Sequence, residues 1–278
     1  MTQEQVRAQF AEIVARNEDR LELDRAALLI AAEEYTNLDV EEYLSLLDNF
    51  GEQARARDDY FADPLTRIMR LGNLLFDDLG FRGNAENYYD ARNSFLNNVI
   101  ERRTGIPITL SVVMMEVGRR IGLTLYGVGM PGHFLVKYVD EEQEIFADPF
   151  HGGRIVDKTR CRRMVEEMYN GQLPFSASFL NAVTKKQILS RMLQNLKGIY
   201  AKANDHFKML GATDRALLIT PNSTTEIRDR AMACFSLKRY AEARMGFEDY
   251  LRREPEAADA AKIKSLLAEL RLRQAQLN

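Results

Sequence analysis

The chain has 278 residues, 46% hydrophobic and 28% charged, which is an ordinary globular composition and enough for one large domain or two smaller ones. Its formal net charge of −3 and its pI near 5.8 argue against a nucleic-acid partner, because they give no net basic surface. Cys161 and Cys234 are the 2 cysteines and lie far apart in sequence, so neither a disulfide framework nor a zinc site is indicated.

The N-terminal stretch "MTQEQVRAQFAEIVARNEDR" is charged throughout and lacks the apolar core of a signal peptide. No run in the chain approaches the ~18 consecutive apolar residues of a membrane-spanning helix. We therefore expect a cytoplasmic protein without a membrane segment.

The first hundred or so residues repeat apolar side chains at helical spacing. Asp39 is well placed to cap one of these helices, while Pro64 and Gly80 mark the start and the end of another. Gly105 is expected to end a further, short helix. The predicted helices are "QEQVRAQFAEIVAR", "LDRAALLIAAEEY", "DVEEYLSLLDNFGEQARAR", "DPLTRIMRLGNLLFDDLGF" and "SFLNNVIERR".

The middle of the chain changes from helical to strand periodicity. Pro107 suits the first position of a helix over "GIPITLSVVMMEVGRRIGL". Three segments rich in branched and aromatic residues then read as β-strands: "TLYGVGM", "HFLVKYV" and "QEIFADP". From "VDKTRCRRMVEEMY" onward the pattern is helical again, so the chain is predicted to be a mostly α-helical α+β protein with a small antiparallel sheet.

The last part of the chain holds an internal repeat. Pro221 and Pro255 are 34 positions apart, the tetratricopeptide period, and each closes a predicted helix pair. The second copy matches the motif at Ala231, Tyr240, Ala243, Phe247 and Pro255. We expect one domain over residues 1–182 and a repeat domain with a capping helix over residues 183–278. Since two repeats are fewer than the roughly three that a free-standing solenoid needs, we expect the repeats to pack against the first domain.

A hairpin in the strand region predicts the candidate site. With its turn centred on Asp140–Glu141, opposite charges and apolar residues meet across the strands. The predicted opposed pairs are His133–Asp148, Phe134–Ala147, Leu135–Phe146, Val136–Ile145 and Lys137–Glu144. A carboxylate beside an imidazole orients the ring and favours its charged form, as a general acid or base requires. The alternative is a buried polar pair that satisfies itself.

No cofactor or metal is predicted. Gly127, Gly129 and Gly132 spell a dinucleotide fingerprint, but Pro131 and a strand follow where the fingerprint must open a helix. The 3 histidines are scattered without the spacing of metal ligands.

The chain resembles the bacterial SirB-type family, named for a regulator of invasion genes, in "YYDARNSFLNNVIERRTGIPITLSVVMMEVGRRIGL", "GMPGHFLVKY", "DPFHGG" and the repeats that follow. The likeness extends from about "LLIAAEEY" to the C-terminal repeats. The order of a helix opening near Pro107, a strand, a histidine and an aspartate is similar to the transglutaminase-like fold, a papain-like cysteine protease type. That resemblance implies a catalytic cysteine in the first turn of this helix.

The expected cysteine is absent from that turn. Its candidate residues run from Pro107 to Ser111, and neither Cys161 nor Cys234 takes this place in sequence order. Ser111 or Thr109 can serve as the nucleophile only with His133 as base, Asp148 as its orienting group and an oxyanion hole. The competing interpretation is that both hydroxyls cap or pack the helix start.

We therefore expect a non-catalytic regulatory protein that binds a protein or peptide through a degenerate transglutaminase-like core and its repeats. The alternative is a hydrolase or acyl-transferase that uses Ser111 or Thr109 with His133 and Asp148. A third possibility is a purely structural role, with neither an open cleft nor a polar repeat groove.

Overall fold

Helices make up most of residues 2–275, the part of the chain that this computed structural model describes. The chain divides into two compact units, residues 1–192 and residues 193–278. The helices are α1 (Gln3–Ala15), α2 (Leu23–Ala32), α3 (Val40–Arg55), α4 (Pro64–Gly72), α5 (Leu96–Arg102), α6 (Pro107–Arg120), α7 (Lys158–Met168), α8 (Lys185–Lys202), α9 (His206–Ile219), α10 (Thr224–Ser236), α11 (Tyr240–Arg253) and α12 (Ala260–Ala275). Within this described part, none of the helices combines the length and apolar character that crossing a membrane requires.

Side chains cap the N-termini of two helices, α3 and α4, at the positions that the sequence predicts. The Asp39 side chain accepts a hydrogen bond from the backbone N–H of Glu41 at the start of α3. Asp63 caps α4, with Pro64 at its first position. The predicted helix starts at Asp39 and Pro64 are thereby confirmed.

The end of α5 differs from the prediction. Arg103, and not Gly105, ends the helix, with a left-handed φ of 54°. Its guanidinium lies over the rings of Phe50 and Phe81, 4.4 and 4.7 Å from their centroids. These contacts offset the cost of a left-handed backbone at a residue with a Cβ.

A 5-stranded antiparallel sheet with the order β6-β5-β4-β3-β7 packs against α6. Helix α6 is buried along nearly its whole length, so it is the central element of the first unit. The three predicted strands are present, while β6 and β7 were not predicted. The strands are β3 (Tyr126–Val128), β4 (Leu135–Val139), β5 (Glu144–Asp148), β6 (Arg154–Val156) and β7 (Ala182–Val183); β1 (Arg82–Gly83) and β2 (Thr104–Gly105) form a separate parallel pair.

The predicted register of the β4–β5 hairpin is wrong by two residues. Val136 faces Ala147, and Val139 faces Glu144, so Lys137 lies opposite Phe146. The turn sets this register, because the Asp140 carboxylate accepts hydrogen bonds from the backbone N–H groups of the second and third residues after it. The two central turn residues are consequently 141 and 142.

A shift of two residues keeps every side chain on its predicted face of the sheet. Lys137 and Glu144 become diagonal neighbours and still form an ion pair of 3.0 Å. The predicted contact between Lys137 and Glu144 therefore forms, although the predicted opposed pairs Phe134–Ala147, Leu135–Phe146 and Val136–Ile145 do not.

The second unit contains the predicted tetratricopeptide-like helix pairs. Ala231 of α10 and Ala243 and Phe247 of α11 are buried at the positions that the motif assigns to small and aromatic residues. An added Cβ at Gly246 would lie 2.8 Å from the Ala231 Cβ, which shows how closely α10 and α11 approach.

Candidate functional site: a carboxylate between two histidines

Asp148 lies at the end of β5 and caps the short 3₁₀ turn Pro149–His151. Its Oδ1 atom accepts hydrogen bonds from the backbone N–H groups of Phe150 and His151, at 3.1 and 3.3 Å. These two bonds fix the plane of the carboxylate and leave Oδ2 to face the side chains around it.

Two imidazoles meet at that second oxygen. His133 Nε2 lies 3.0 Å from Asp148 Oδ2, and His151 Nδ1 lies 2.7 Å from the same atom. A carboxylate oxygen only accepts, so each of these ring nitrogens carries the hydrogen. The other ring nitrogen of His133, Nδ1, is thereby left as the atom that can take a proton.

His133 is held in place from several sides. Its side chain is buried, and its ring meets the edge of Phe150 at 6.1 Å between centroids. The Arg191 guanidinium donates hydrogen bonds of 2.8 and 3.0 Å to the backbone carbonyls of His133 and Met130. The loop that leads into β4 is thus fixed together with the imidazole.

The charge state of Asp148 suits this arrangement. Burial by itself would raise the pKa of Asp148, but the hydrogen bond and positive charge of His133, reinforced by His151, lower that pKa below its usual range. An ionised carboxylate orients a neighbouring imidazole and stabilises its protonated form, so the pair can bind or transfer a proton.

The hydroxyl candidates are not joined to this pair. Thr109 Oγ1 donates to the backbone carbonyl of Asn93 at 2.8 Å and accepts from the Ile106 N–H at 3.2 Å, so it fastens the start of α6. Ser111 Oγ is buried and has no hydrogen-bond partner in the structure. Within the described residues, neither hydroxyl bonds to His133.

Neither cysteine is hydrogen-bonded to the imidazole in the part of the chain that the structure describes. Cys161 of α7 is fully buried in an apolar cluster with Val128, Phe146 and other residues. Burial, with the negative charges of Asp157 and Asp148, raises the pKa of its thiol to about 11. Cys234 is buried in α10, and burial likewise raises its pKa.

His151 belongs to the site although it was not among the predicted site residues. The signal is the segment "DPFH", in which an aspartate followed by proline caps a turn and brings the residue three positions later back to the carboxylate. His133, Asp148 and His151 each place one potential metal-ligand atom within 4.8 Å of the others. The linear spacing of the histidines gave no indication of this cluster, because the folded chain brings the three residues together.

Comparison with known proteins agrees with this architecture. The family model described as "Transglutaminase-like superfamily" matches residues 41–194, and a tetratricopeptide repeat model matches residues 196–268. The fold is therefore a transglutaminase-like domain followed by tetratricopeptide repeats.

Similar proteins show which family the chain belongs to. A UPF0162 protein of Xylella fastidiosa (strain 9a5c) is 36% identical over 91% of this chain and 92% of its own length, and one of Vibrio cholerae is 28% identical over 73% and 75%. A mouse protein, F-box only protein 21, is 32% identical over 45% of this chain and 20% of its own length. The chain belongs to the UPF0162 family, the SirB-type family indicated by its sequence motifs.

Proposed function

We propose that this protein is a non-catalytic regulatory protein that binds a protein or peptide. The observation that carries the proposal is that the imidazole–carboxylate pair has no nucleophile bonded to it in the described part of the chain. Thr109 is used as a helix cap, and Cys161 is a buried thiol with a raised pKa. A thioester mechanism needs a thiolate within about 3 Å of the base, and neither cysteine supplies one.

The repeat unit offers a surface for a partner. A cleft of about 680 Å³ on the repeat helices is lined by apolar and charged side chains. Met245 lines this cleft and is 65% exposed, so its unbranched, polarizable side chain is accessible to a partner. Tetratricopeptide repeats generally mediate protein–protein interaction. The cleft is lined by Leu217, Ile227, Arg230, Ala231, Met245, Gly246, Glu248, Asp249, Arg252 and Arg253.

The test compares proteins captured by the immobilised full-length chain from a lysate of the source cells. Met245→Glu should deplete a defined set of captured proteins by about 10-fold or more, because it places an unpaired charge in the contact. Phe207→Glu is the matched control, since Phe207 is 66% exposed in the same unit and does not line the cleft. Identical captured sets for all three chains, or no capture above a blank support, would contradict the proposal.

One observation favours a second candidate, a hydrolase or acyl-transferase that uses Ser111. Its hydroxyl is buried without a partner on α6, and α6 packs against β4 and the Pro149–His151 turn. Orphaned buried hydroxyls are rare and sometimes have a catalytic role. A fluorophosphonate probe distinguishes the two candidates: labelling of the wild type that is lost in Ser111→Ala supports the enzyme, and unlabelled wild type supports the binding protein.

A further inference from the structure

Three side chains of metal-ligating type converge at the end of β5. His133 and His151 are two of the 3 histidines in the chain, and Asp148 lies between them. We propose that His133 Nε2, His151 Nδ1 and Asp148 Oδ2 together bind one divalent transition-metal ion. This inference goes beyond the proposed function and does not depend on it, because binding an ion requires no nucleophile and no protein partner.

The distances suit an ion after a small adjustment. Bonds of ~2.0–2.2 Å from a tetrahedral ion place neighbouring ligand atoms about 3.4 Å apart. The two histidine nitrogens lie 3.0 and 2.7 Å from the Asp148 oxygen, and each of the three residues has a potential ligand atom within 4.8 Å of those of the other two. Replacing the two bridging hydrogens by an ion requires the nitrogen–oxygen separations to widen by about half an ångström.

One ligand residue is buried and another is exposed to solvent. His133 is buried and bonded through its backbone to Arg191, so it provides a rigid anchor. The His151 side chain is 54% exposed, and the next two residues, Gly152 and Gly153, have φ values of 77° and 69°. The exposed ring provides both the movement that coordination requires and a route by which an ion can enter from solvent.

The carboxylate also has the outer hydrogen bonds typical of a metal ligand. Both backbone bonds to Asp148 are made to Oδ1, which leaves Oδ2 as the coordinating atom. Ligating carboxylates in metal sites are held by such bonds, which orient them and raise metal affinity.

The chemistry of the ligands selects the class of ion. Two imidazoles and one carboxylate suit Zn²⁺, Co²⁺, Ni²⁺ or Cu²⁺, whereas Mg²⁺ and Ca²⁺ prefer sites built from oxygen atoms. A tetrahedral ion bound by three protein residues keeps a fourth position for water or for an atom of a bound small molecule.

The test uses the tag-free full-length chain after removal of metal with a chelator. Zn²⁺ is titrated into it calorimetrically, and Co²⁺ binding is followed by visible absorption, which reports nitrogen and oxygen coordination. We expect one ion per chain. His151→Ala and Asp148→Asn should each weaken binding by about 100-fold or more. His206→Ala is the matched control, because His206 begins α9 and lies outside the cluster; its Zn²⁺ affinity should equal that of the wild type.

A second measurement identifies which histidine nitrogens coordinate the ion. Long-range ¹H–¹⁵N spectra resolve 3 histidines, and Zn²⁺ should shift His133 at Nε2 and His151 at Nδ1 while leaving His206 unchanged. A wild type that takes up less than one ion, or cluster variants that bind as tightly as the wild type, would overturn the proposal. The three side chains would then be a hydrogen-bonded network only.

Discussion

Glu116 is a buried acid whose surroundings shift its pKa. It lies on α6 and accepts hydrogen bonds of 2.8 Å from Arg119 and 3.3 Å from Arg120. The same two arginines bond to Asp24 of α2, at 3.1 and 2.9 Å. Burial, with the negative charge of Asp24, raises the pKa of Glu116 from 4.5 to about 7.

This raised pKa predicts a particular pH dependence. Between pH 4.5 and about 7 the folded chain keeps a proton on Glu116 that the unfolded chain has released. The contribution of Glu116 to the free energy of unfolding is therefore fully present below pH 4.5 and is lost as the pH rises through about 7. Glu116→Gln keeps the shape of the protonated acid and should remove that loss.

The measurement is urea unfolding of both chains at about pH 5 and about pH 8. Relative to wild type, Glu116→Gln should gain about 1–3 kcal/mol between the two pH values. Glu141→Gln, which changes an exposed acid in the hairpin turn, is the matched control and should leave the slope of the wild type unchanged. Parallel pH profiles for wild type and Glu116→Gln would show that Glu116 is already ionised at pH 5.

At the scale of elements, the contact between α10 and α11 depends on a glycine. A Cβ at Gly246 would lie 2.8 Å from the Ala231 Cβ, an atom attached directly to backbone that cannot turn away. Gly246→Ala should therefore destabilise the chain by about 1–3 kcal/mol, although alanine favours helix by about 1 kcal/mol.

A matched control for this prediction is available in α8. Gly198 is also helical, and an added Cβ there would meet nothing within 4 Å. Gly198→Ala should raise the free energy of unfolding by up to about 1 kcal/mol. Thermal melts of the two variants should thus move in opposite directions. A Gly246→Ala chain that melts at or above the wild-type temperature would show that the helices separate without cost.

Elements that carry local signals could be predicted from the sequence. Asp39 and Pro64 mark helix starts because capping and fixed φ act within one turn of the chain. The strands β6 and β7 could not be predicted, since three and two residues are too short to show a period. The left-handed Arg103 depends on rings from Phe50 and Phe81, which are distant in sequence.

In the candidate site, too, some features could be predicted from the sequence and others could not. Matching of charge and polarity across the hairpin indicated that His133 and Asp148 meet, and they do so at 3.0 Å. The register was wrong because hydrogen bonds made by the Asp140 side chain, and not strand matching, fix the turn. His151 was missed because a capped turn brings it back to the carboxylate, and linear ligand spacing does not describe that geometry.

For the molecule as a whole, the melting temperature of the isolated repeat domain shows how much stability two repeats can supply. An apolar cluster that includes Ala231, Phe247 and Leu270 lies within the second unit. Two repeats and a capping helix are still fewer than the roughly three repeats that stand alone. Residues 183–278 expressed by themselves should therefore melt ~10 °C or more below the full-length chain.

Far-ultraviolet circular dichroism of the segment and of the full-length chain, recorded at matched concentration, measures this difference. A cooperative melt of the isolated segment at the full-length temperature would count against the expectation that the repeats require the first domain.

We predict that neither Cys161 nor Cys234 is a reactive nucleophile for the His133–Asp148 pair, and alkylation of the cysteines in the native chain tests this prediction. The full-length chain and His133→Ala are incubated with iodoacetamide near neutral pH, and modification of Cys161 and Cys234 is followed by mass spectrometry. Because burial raises the pKa of Cys161 to about 11, we predict labelling about 100-fold or more slower than a free thiol, at the same rate in both chains. Fast labelling of Cys161 that slows in His133→Ala would contradict the account and identify a thiolate–imidazolium pair.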